Sequence, residues 1–386
     1  MKTLFIANGI SGDNPGLTGG ETRFIEIAKA WANAGHEIHL MSSPGGKSLC
    51  ERMGLKVILH KFVDYKMSGR LPFILKTIRS IFTLPESLSG YNDGVVYSTN
   101  EMLLDIFPAL RLKIKYGNRI RWVVIVHWLP PFPPWKRKES KVLNSTLFFI
   151  NERLSVWLAN WFADVLLPVS PMTKEQLRAA GVNMDKVHAV ECGVDFAGIR
   201  DIVRNVPAKT YDAVYMKRLQ AVKGVFDLID IWEGVVKVKP EAKLVVMGEG
   251  VDGDKARQIV KERGLEANIE FVGMVYDFAE KFSRISQAKL FILPTYEENW
   301  AIVVGEAMAA GTPVVAYDLK EMVDVWGEAA FWVPTGDKGA FVGKVISLLD
   351  NPDALKKLSS AAVEYVRRYD WKDIAKRELE YITGSK

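Results

Sequence analysis

Short runs rich in β-branched residues alternate with longer stretches of helical periodicity along this chain of 386 residues. A strand, a crossover helix and a further parallel strand make the repeating unit of sheets that are covered by helices on both faces. The segment after Gly20 illustrates the helical part, because Phe24, Ile27 and Trp31 recur at the spacing of one helix face. The alternation therefore predicts an α/β fold built on parallel sheets.

The alternation occurs twice, which indicates two domains. The polar segment 190–210 separates the two series and favours an irregular hinge between doubly wound domains. We predict an α/β protein of two Rossmann-like domains, residues 1–192 and 193–368, facing across a cleft, with a helix in 369–386 that packs back on the first domain. The predicted strands are residues 2–7, 36–41, 55–60, 94–97, 121–126 and 164–168, then 211–216, 243–248, 269–273, 288–294, 312–317 and 329–334.

Composition is that of an ordinary globular protein, with 48% hydrophobic and 25% charged residues. The two cysteines, Cys50 and Cys192, show neither the spacing of a disulfide framework nor the clustered ligands of a zinc module. The apolar run at the N-terminus breaks at Asn8, too early for a signal peptide, and no stretch reaches the roughly 18 apolar residues of a membrane span. These features predict a soluble or peripheral protein of the cytoplasm.

Basic residues are concentrated in the first half of the chain. Residues 61–141 contain 14 Lys and Arg against 6 Asp and Glu, whereas the whole chain carries a net charge of +5. The segment 66–82, with Lys76 and Arg79 among apolar side chains, either lies on an anionic membrane surface or forms an ordinary solvated helix face. No recognition motif for nucleic acid accompanies this charge, so nucleic acid is not an expected partner. Five tryptophans belong either to this surface or to the core: Trp122, Trp128, Trp135, Trp157 and Trp161.

The most informative stretch of the second series has a buried strand, a loop with Glu298, a helix with Glu306 and a further strand. The start of a helix presents unpaired N–H groups that suit phosphate oxygens, so the amides of Asn299, Trp300 and Ala301 are candidate phosphate donors. Glu298 and Glu306 are about two helical turns apart, and we expect both on one side. Carboxylates accept hydrogen bonds from vicinal hydroxyls of a sugar. The alternative is a pair of solvated glutamates on a helix surface.

Three further elements lie at predicted strand ends. Arg218 and Lys223 follow a strand and precede a helix, where two cations would face an incoming phosphate; alternatively they are surface residues beside a turn. Gly19 and Gly20 lie in a predicted flexible loop before the first helix, and the lack of side chains would allow close approach of a phosphate. His127 ends the fifth strand and is expected at the ligand-binding edge, or else is held by hydrogen bonds within the fold.

These residues resemble the signature of the retaining nucleotide-sugar glycosyltransferases of family 4, whose fold is called GT-B. The family signature is Glu, seven residues, Glu, then Ala-Met-Ala-x-Gly-x-Pro-Val. Glu298, Glu306 and the run that starts at Ala307 match it. The stretch from Arg218 to Gly224 is similar to the Arg-Leu…Lys-Gly element of the family. The resemblance covers nearly the whole chain.

The resemblance implies a metal-independent, retaining transferase, with no cofactor, that moves a hexose-type sugar from a nucleotide-diphosphate donor to a glycan or lipid-linked acceptor. It implies that Glu298 contacts hydroxyls of the donor sugar and Glu306 the ribose, that Arg218 and Lys223 hold the diphosphate, and that His127 contacts the transferred sugar. A lipid-linked acceptor and the basic first domain would place the protein at the inner face of the cell membrane.

Two other functions stay open at this point. One is a nucleotide-sugar epimerase on the same scaffold, and the other is a protein that binds nucleotide sugars without turnover. The second stays open because Asn299, Trp300 and Ala301 stand where the family commonly has Gly-Phe-Gly. Cys192 likewise replaces an Asn that the family usually carries.

Two patterns in the second domain imitate other sites. Gly248, Gly250 and Gly253 match the spacing of a dinucleotide-binding fingerprint, but they follow the second strand of their series, and the fingerprint usually follows the first. Asp252 and Asp254 have the Asp-x-Asp spacing of a metal site without further ligands nearby, so we expect a helix cap instead. We therefore expect neither a nicotinamide or flavin cofactor nor a bound metal.

Overall fold

The computed structural model describes five stretches of the chain: residues 1–10, 18–62, 70–130, 142–206 and 209–384. The chain divides into two compact units. The first unit runs from Met1 to Cys192 and also includes the C-terminal segment from Trp371, and the second unit is Gly193–Asp370.

A six-stranded parallel sheet forms the centre of the first unit. Its strands are β1 (Lys2–Ile6), β2 (Glu37–Ser42), β3 (Ile58–Lys61), β4 (Gly94–Ser98), β5 (Ile120–Val126) and β6 (Val165–Pro168). They lie in the order β3-β2-β1-β4-β5-β6. The chain starts at β1, runs to one edge and returns to the other side of β1, so the boundary between β1 and β4 is a topological switch point. All six strands predicted for the first series are confirmed, with ends shifted by a few residues.

Among the described residues of the first unit, six α-helices precede the second unit: α1 (Gly19–Asn33), α2 (Pro44–Arg52), α3 (Arg70–Phe82), α4 (Leu103–Tyr116), α5 (Val142–Phe162) and α6 (Pro171–Ala179). The prediction that Gly19 and Gly20 lie in a loop is wrong, because they form the first turn of α1. The backbone N–H of Thr18 donates to Oε2 of Glu21 at 2.9 Å, as in a capping box, and this contact begins the helix at Gly19.

The second unit repeats the same architecture. Its strands are β7 (Tyr211–Met216), β8 (Leu244–Met247), β9 (Ile269–Gly273), β10 (Ala288–Leu293), β11 (Val314–Tyr317) and β12 (Phe331–Val333). Their order is β12-β11-β10-β7-β8-β9, and all neighbours are parallel. The switch point lies between β7 and β10. The six strands predicted here are confirmed, and so is the α/β class with two Rossmann-like doubly wound domains.

The described part of the second unit contains eight α-helices: α7 (Phe196–Val203), α8 (Val225–Val238), α9 (Gly253–Glu262), α10 (Phe278–Ser286), α11 (Ile302–Ala309), α12 (Lys320–Trp326), α13 (Lys338–Leu349) and α14 (Pro352–Val366). The prediction that segment 190–210 is irregular is wrong, since it contains α7. The side chain of Asp195 accepts a hydrogen bond from the N–H of Gly198 at 2.9 Å and caps this helix.

The last helix, α15 (Trp371–Thr383), belongs to the first unit. Its Glu378 forms an ion pair with Arg23 of α1, and the two side chains are 0% and 1% exposed. Tyr97 of β4 completes the group, because it accepts from Arg23 at 3.0 Å and donates to Glu378 at 2.7 Å. Each buried charge therefore has a charged partner and a neutral hydrogen-bond partner.

Candidate functional site

The carboxyl ends of β7 and β10 bring two of the predicted site residues together. Nζ of Lys223 lies 3.2 Å from Oε1 of Glu298, and both side chains are largely buried. Lys223 ends a 3₁₀ turn after β7, and its carbonyl accepts a hydrogen bond from the Tyr215 hydroxyl at 2.9 Å. This position is the switch point of the sheet, where open α/β sheets bind ligands.

Gly224 explains why Lys223 can approach the end of β10 so closely. Its φ is +79°, and a Cβ at this position would lie 1.7 Å from the carbonyl oxygen of Pro294. Only glycine tolerates both the left-handed conformation and this contact. Gly224 thus sets the distance between the turn that carries Lys223 and the loop that carries Glu298.

Lys217 is a member of this group that sequence reasoning missed. Its Nζ lies 2.8 Å from Oε1 of Glu298, so two ammonium groups share one carboxylate oxygen. Burial acts to raise the pKa of Glu298, but the charges of Lys217 and Lys223 outweigh it and hold that pKa below its usual value. The sequence signal that could have indicated Lys217 is its position, directly after a predicted strand and before Arg218.

Arg218 extends from the same strand end but is exposed. In the described part of the second unit, its guanidinium has no ion-pair or hydrogen-bond partner, so it is available to a ligand. We call Lys217, Arg218, Lys223 and Glu298 the β7–β10 cluster. It holds three cations and one carboxylate and is therefore positive.

Glu306 lies on α11 and pairs with a different cation. Its Oε1 is 2.6 Å from Nζ of Lys281 on α10. The expectation that Glu298 and Glu306 lie along one helix face is wrong, because α11 begins only at Ile302 and Glu298 belongs to the preceding loop. The two carboxylates therefore belong to separate ion pairs. Lys281 is a second residue that the sequence pattern did not indicate.

The segment between the two glutamates has an unusual backbone. Ala301 has a φ of 53° and is the one non-glycine residue with positive φ in the described ranges. The indole of Trp300 is buried against Trp326 and Tyr369, with ring centroids 4.5 and 5.2 Å away. The Trp300 side chain therefore anchors the loop. The backbone amides of Asn299, Trp300 and Ala301, just before the start of α11, stay candidate donors to a phosphate.

Gly20 and His127 are neighbours in the first unit. A Cβ on Gly20 would lie 3.4 Å from Nε2 of His127, and Gly19 is the preceding residue of α1. Nε2 is 3.0 Å from the carbonyl oxygen of Thr99, and because a carbonyl only accepts, Nε2 is the nitrogen that carries the proton. Burial, with the nearby charge of Arg23, lowers the pKa of His127 to about 4. The ring is therefore neutral at neutral pH.

Glu101, just after β4, holds the backbone that carries His127. Its two carboxylate oxygens accept the N–H groups of His127 and Trp128 at 3.0 and 3.2 Å. Burial raises the pKa of Glu101 to about 7, against the lowering effect of these N–H donors. Nothing in the sequence pattern singled out Glu101, since the contact joins two strand ends far apart in the chain.

The glycine-rich stretch after β8 has a structural role. A Cβ on Gly248 would lie 2.1 Å from the carbonyl oxygen of Lys217, so glycine lets the ends of β7 and β8 pack closely. Asp252 is the N-cap residue of α9, as predicted, but its carboxylate accepts the N–H of Ala221 at 2.8 Å and makes no capping hydrogen bond to the helix. Within the described ranges there is no group of three or more His, Cys, Asp or Glu residues placed to hold a metal.

Two surface cavities of the second unit, of about 290 and 390 Å³, lie around Arg200. Neither is lined by a predicted site residue. Two of the cations that line them bind the fold itself, since Arg200 donates to the carbonyl of Ala309 and Lys209 to that of Ala288.

Two family models match the chain in succession. The model described as Glycosyltransferase Family 4 matches residues 17–197, and the model described as Glycosyl transferases group 1 matches residues 200–365. Together they cover most of the two units.

Curated relatives match parts of the chain. The phosphatidyl-myo-inositol mannosyltransferase of Mycobacterium leprae is 37% identical over 156 residues, which are 40% of this chain and 41% of that relative. The glycogen synthase of Mycobacterium tuberculosis is 27% identical over 238 residues, 60% of this chain and 56% of that relative. The chain thus spans about half the length of the curated relatives it matches.

A solved structure matches throughout. The Anabaena protein HepE, crystallised in complex with UDP and glucose, is 20% identical to this chain with a TM-score of 0.73, over 99% of both chains. At this level of identity the likeness shows the fold, and the two family models supply the assignment. The chain belongs to the glycosyltransferases of the family 4 type and has the GT-B fold of two Rossmann-like domains.

Proposed function

We propose that the protein is a retaining glycosyltransferase that moves a hexose-type sugar from a nucleotide-diphosphate donor to a glycan or lipid-linked acceptor. The observation that carries this proposal is the β7–β10 cluster at the switch point of the second sheet. Its net positive charge complements a diphosphate, and the buried carboxylate beside it suits sugar hydroxyls. The same charges replace a metal ion, so the proposed reaction is metal-independent and uses no cofactor.

The cations have distinct parts in this proposal. Arg218 is exposed and unpaired within the described second unit, so it binds the diphosphate directly. Such charge-assisted contacts contribute about 1.5–3 kcal/mol each. As the nucleoside diphosphate departs, negative charge grows on it, and Arg218 and Lys223 stabilise that charge. Loss of one such contact costs about 10²–10³ in rate.

The carboxylates bind hydroxyl groups. Oε1 of Glu298 is occupied by two ammonium groups, whereas Oε2 has no partner among the described residues, so Oε2 accepts from a hydroxyl of the donor sugar. Glu306 accepts from the ribose of the nucleotide, and the amides of residues 299–301 at the start of α11 contact phosphate oxygens.

For the first unit, we propose that Gly19, Gly20 and His127 contact the donor. The neutral ring of His127 suits an uncharged sugar hydroxyl, and its orientation is maintained by the Thr99 carbonyl. Gly20 leaves the space beside the ring open, because any side chain there would contact Nε2. A strand-end His next to a helix start is a suitable place for a polar ligand.

A thermal-shift screen tests the donor class. We expect one of UDP, GDP or ADP, and its sugar conjugates, to raise the unfolding midpoint, because a ligand that binds only the folded state stabilises it. The donor so identified is then incubated with and without glycan and lipid-linked acceptors. Acceptor-dependent release of the nucleoside diphosphate, with unchanged anomeric configuration in the product, supports a retaining transferase.

Other outcomes of the same assays contradict the proposal. Conversion of the donor sugar without an acceptor indicates an epimerase. A donor that binds and remains intact with every acceptor indicates a binding protein. Absence of a thermal shift with every nucleotide removes the donor site itself.

We also propose that the first unit makes a peripheral contact with the inner face of the cell membrane. No helix in the described ranges is long and apolar enough to span a bilayer. α5 carries exposed apolar side chains at intervals of three or four residues, the spacing of one helix face. They are Leu147, Ile150, Leu154, Trp157 and Trp161.

The second exposed apolar group lies on α3, with Ile74, Leu75, Ile78 and Phe82. Apolar and tryptophan side chains on a helix surface suit insertion at the membrane interface, and the basic excess of residues 61–141 suits anionic lipids. Of the five tryptophans considered, Trp122 is buried, Trp128 is partly buried, and Trp157 and Trp161 are 56% and 69% exposed, whereas Trp135 lies outside the described residues.

A further inference from the structure

Lys217 occupies a position that the fold determines closely. It follows β7 directly, and its N–H donates to the carbonyl of Met247 on β8 at 3.1 Å. Gly248 lies against its carbonyl on the other side. The side chain is only 16% exposed, so the backbone and the packing together direct Nζ toward the end of β10.

The two lysines of the β7–β10 cluster differ in their contacts. Lys223 divides its ammonium between Oε1 of Glu298 and the carbonyl of Glu297. Glu298 is the one ion-pair partner of Lys217 in the described second unit. Nζ of Lys217 lies 2.8 Å from Oε1 of Glu298, whereas Nζ of Lys223 lies 3.2 Å from the same oxygen. Lys217 is thus the cation dedicated to Glu298.

We propose that Lys217 is a positioning residue of the donor site, which holds Oε1 of Glu298 so that Oε2 is presented to a hydroxyl of the donor sugar. The inference rests on the proposed function, since it assigns Glu298 to the sugar. The inference gives Lys217 a different role from Arg218, which binds the diphosphate in the proposed function. Without Lys217, Glu298 keeps one ammonium at 3.2 Å and regains side-chain freedom, which weakens its contact with a hydroxyl.

The test compares binding of a nucleotide with binding of its sugar conjugate. Isothermal titration is carried out with UDP and UDP-glucose, or with the pair that the thermal-shift screen selects. We expect Lys217→Met to weaken binding of the sugar conjugate about tenfold and to change binding of the nucleotide by less than about threefold. Lys217→Arg should restore most of the difference, because a guanidinium also donates to a carboxylate.

A double-mutant cycle shows whether Lys217 acts through Glu298. We expect the double variant Lys217→Met with Glu298→Gln to bind the sugar conjugate no more weakly than Glu298→Gln alone, since the two residues then serve one contact. Lys289→Met is the matched control. Lys289 also joins β10 to β7, through Asp212 at 2.8 Å, but at the opposite ends of the strands.

Several results would overturn the inference. One is that the two substitutions have additive effects on binding in the double-mutant cycle. A second is that Lys217→Met weakens binding of the nucleotide and of its sugar conjugate equally, which would make Lys217 a phosphate ligand. A third is that Lys217→Met changes the binding of neither. If Lys217→Met fails to fold, Lys217→Gln undergoes the same titrations. The proposed function fails separately, when the wild-type protein binds no nucleotide sugar.

Discussion

Nζ of Lys281 on α10 lies 2.6 Å from Oε1 of Glu306 on α11. This ion pair joins the second glutamate of the signature to a helix, whereas the first glutamate pairs with two lysines that follow a strand. Glu298 is held by the ends of β7 and Glu306 by α10, so the two carboxylates can be perturbed independently. Under the proposed function, variants at each position should therefore report on different parts of the donor, the sugar for Glu298 and the ribose for Glu306.

The first prediction concerns binding and turnover of the donor. Arg218→Ala and Glu306→Ala should each reduce donor affinity or turnover by about one to three orders of magnitude, because in the proposed function each residue contacts the nucleotide part of the donor. Steady-state kinetics and isothermal titration measure the loss. Arg204→Ala, which removes an exposed arginine paired with Asp201, is the control that should leave both unchanged. Full activity in both site variants would refute the site.

The second prediction concerns the strained backbone at Ala301. A non-glycine residue in the left-handed region destabilises the fold by about 1–2 kcal/mol, and glycine removes this strain. Glycine also has more conformational freedom to lose on folding, and this loss offsets part of the gain. Ala301→Gly should therefore raise the free energy of unfolding by about 0.5–1 kcal/mol, measured in urea. Ala310→Gly, at a residue with a φ of −72°, should lower it. Destabilisation by Ala301→Gly would show that no strain is present.

The third prediction concerns the pH dependence of stability. The pKa of His127 is lowered from 6.5 to about 4 in the fold, mainly by burial, so the unfolded chain binds this proton more readily between those values. Stability should fall as the pH decreases through this range. His127→Gln should make the decrease shallower in urea titrations at pH 7 and pH 4.5. Parallel curves for variant and wild type would contradict the assignment.

The fourth prediction concerns the exposed face of α5. Replacing Trp157 and Trp161 together by Ser should reduce binding to vesicles that contain phosphatidylglycerol by about tenfold, since it removes the largest exposed apolar groups of the helix. Co-sedimentation measures the bound fraction. Tyr276→Ser, at an exposed aromatic of the second unit, is the control. Equal binding by the double variant would exclude this face as the contact.

The fifth prediction concerns the buried ion pair between Arg23 and Glu378. Arg23→Met or Glu378→Met alone should destabilise the protein by about 3–5 kcal/mol, because the remaining charge stays buried without its partner. The double variant should recover much of this loss. Chemical unfolding of the four proteins gives the coupling energy. Single variants that unfold like the wild type would show that the charges are solvated.

The strands and the fold class were predictable because they depend on local patterns. The runs at Tyr211–Met216 and Ile269–Gly273, for example, match the predicted strands residue for residue. The roles of Lys217 and Glu101 were not predictable, because they arise from contacts between strand ends that only the order of strands in the sheet brings together. The helical spacing of Glu298 and Glu306 misled for a related reason. A left-handed residue, Ala301, delays the start of α11, and sequence periodicity carries no signal for it.

The placement of α15 in the first unit has a consequence for the order in which the two units can complete their folding during synthesis. Arg23 leaves the ribosome early, but its partner Glu378 is synthesised only after every residue of the second unit. A growing chain therefore holds an incomplete first unit, with a cation that lacks its counter-charge, while the second unit already has all its own residues. The first unit should thus be the last to complete its folding, once α15 has been added.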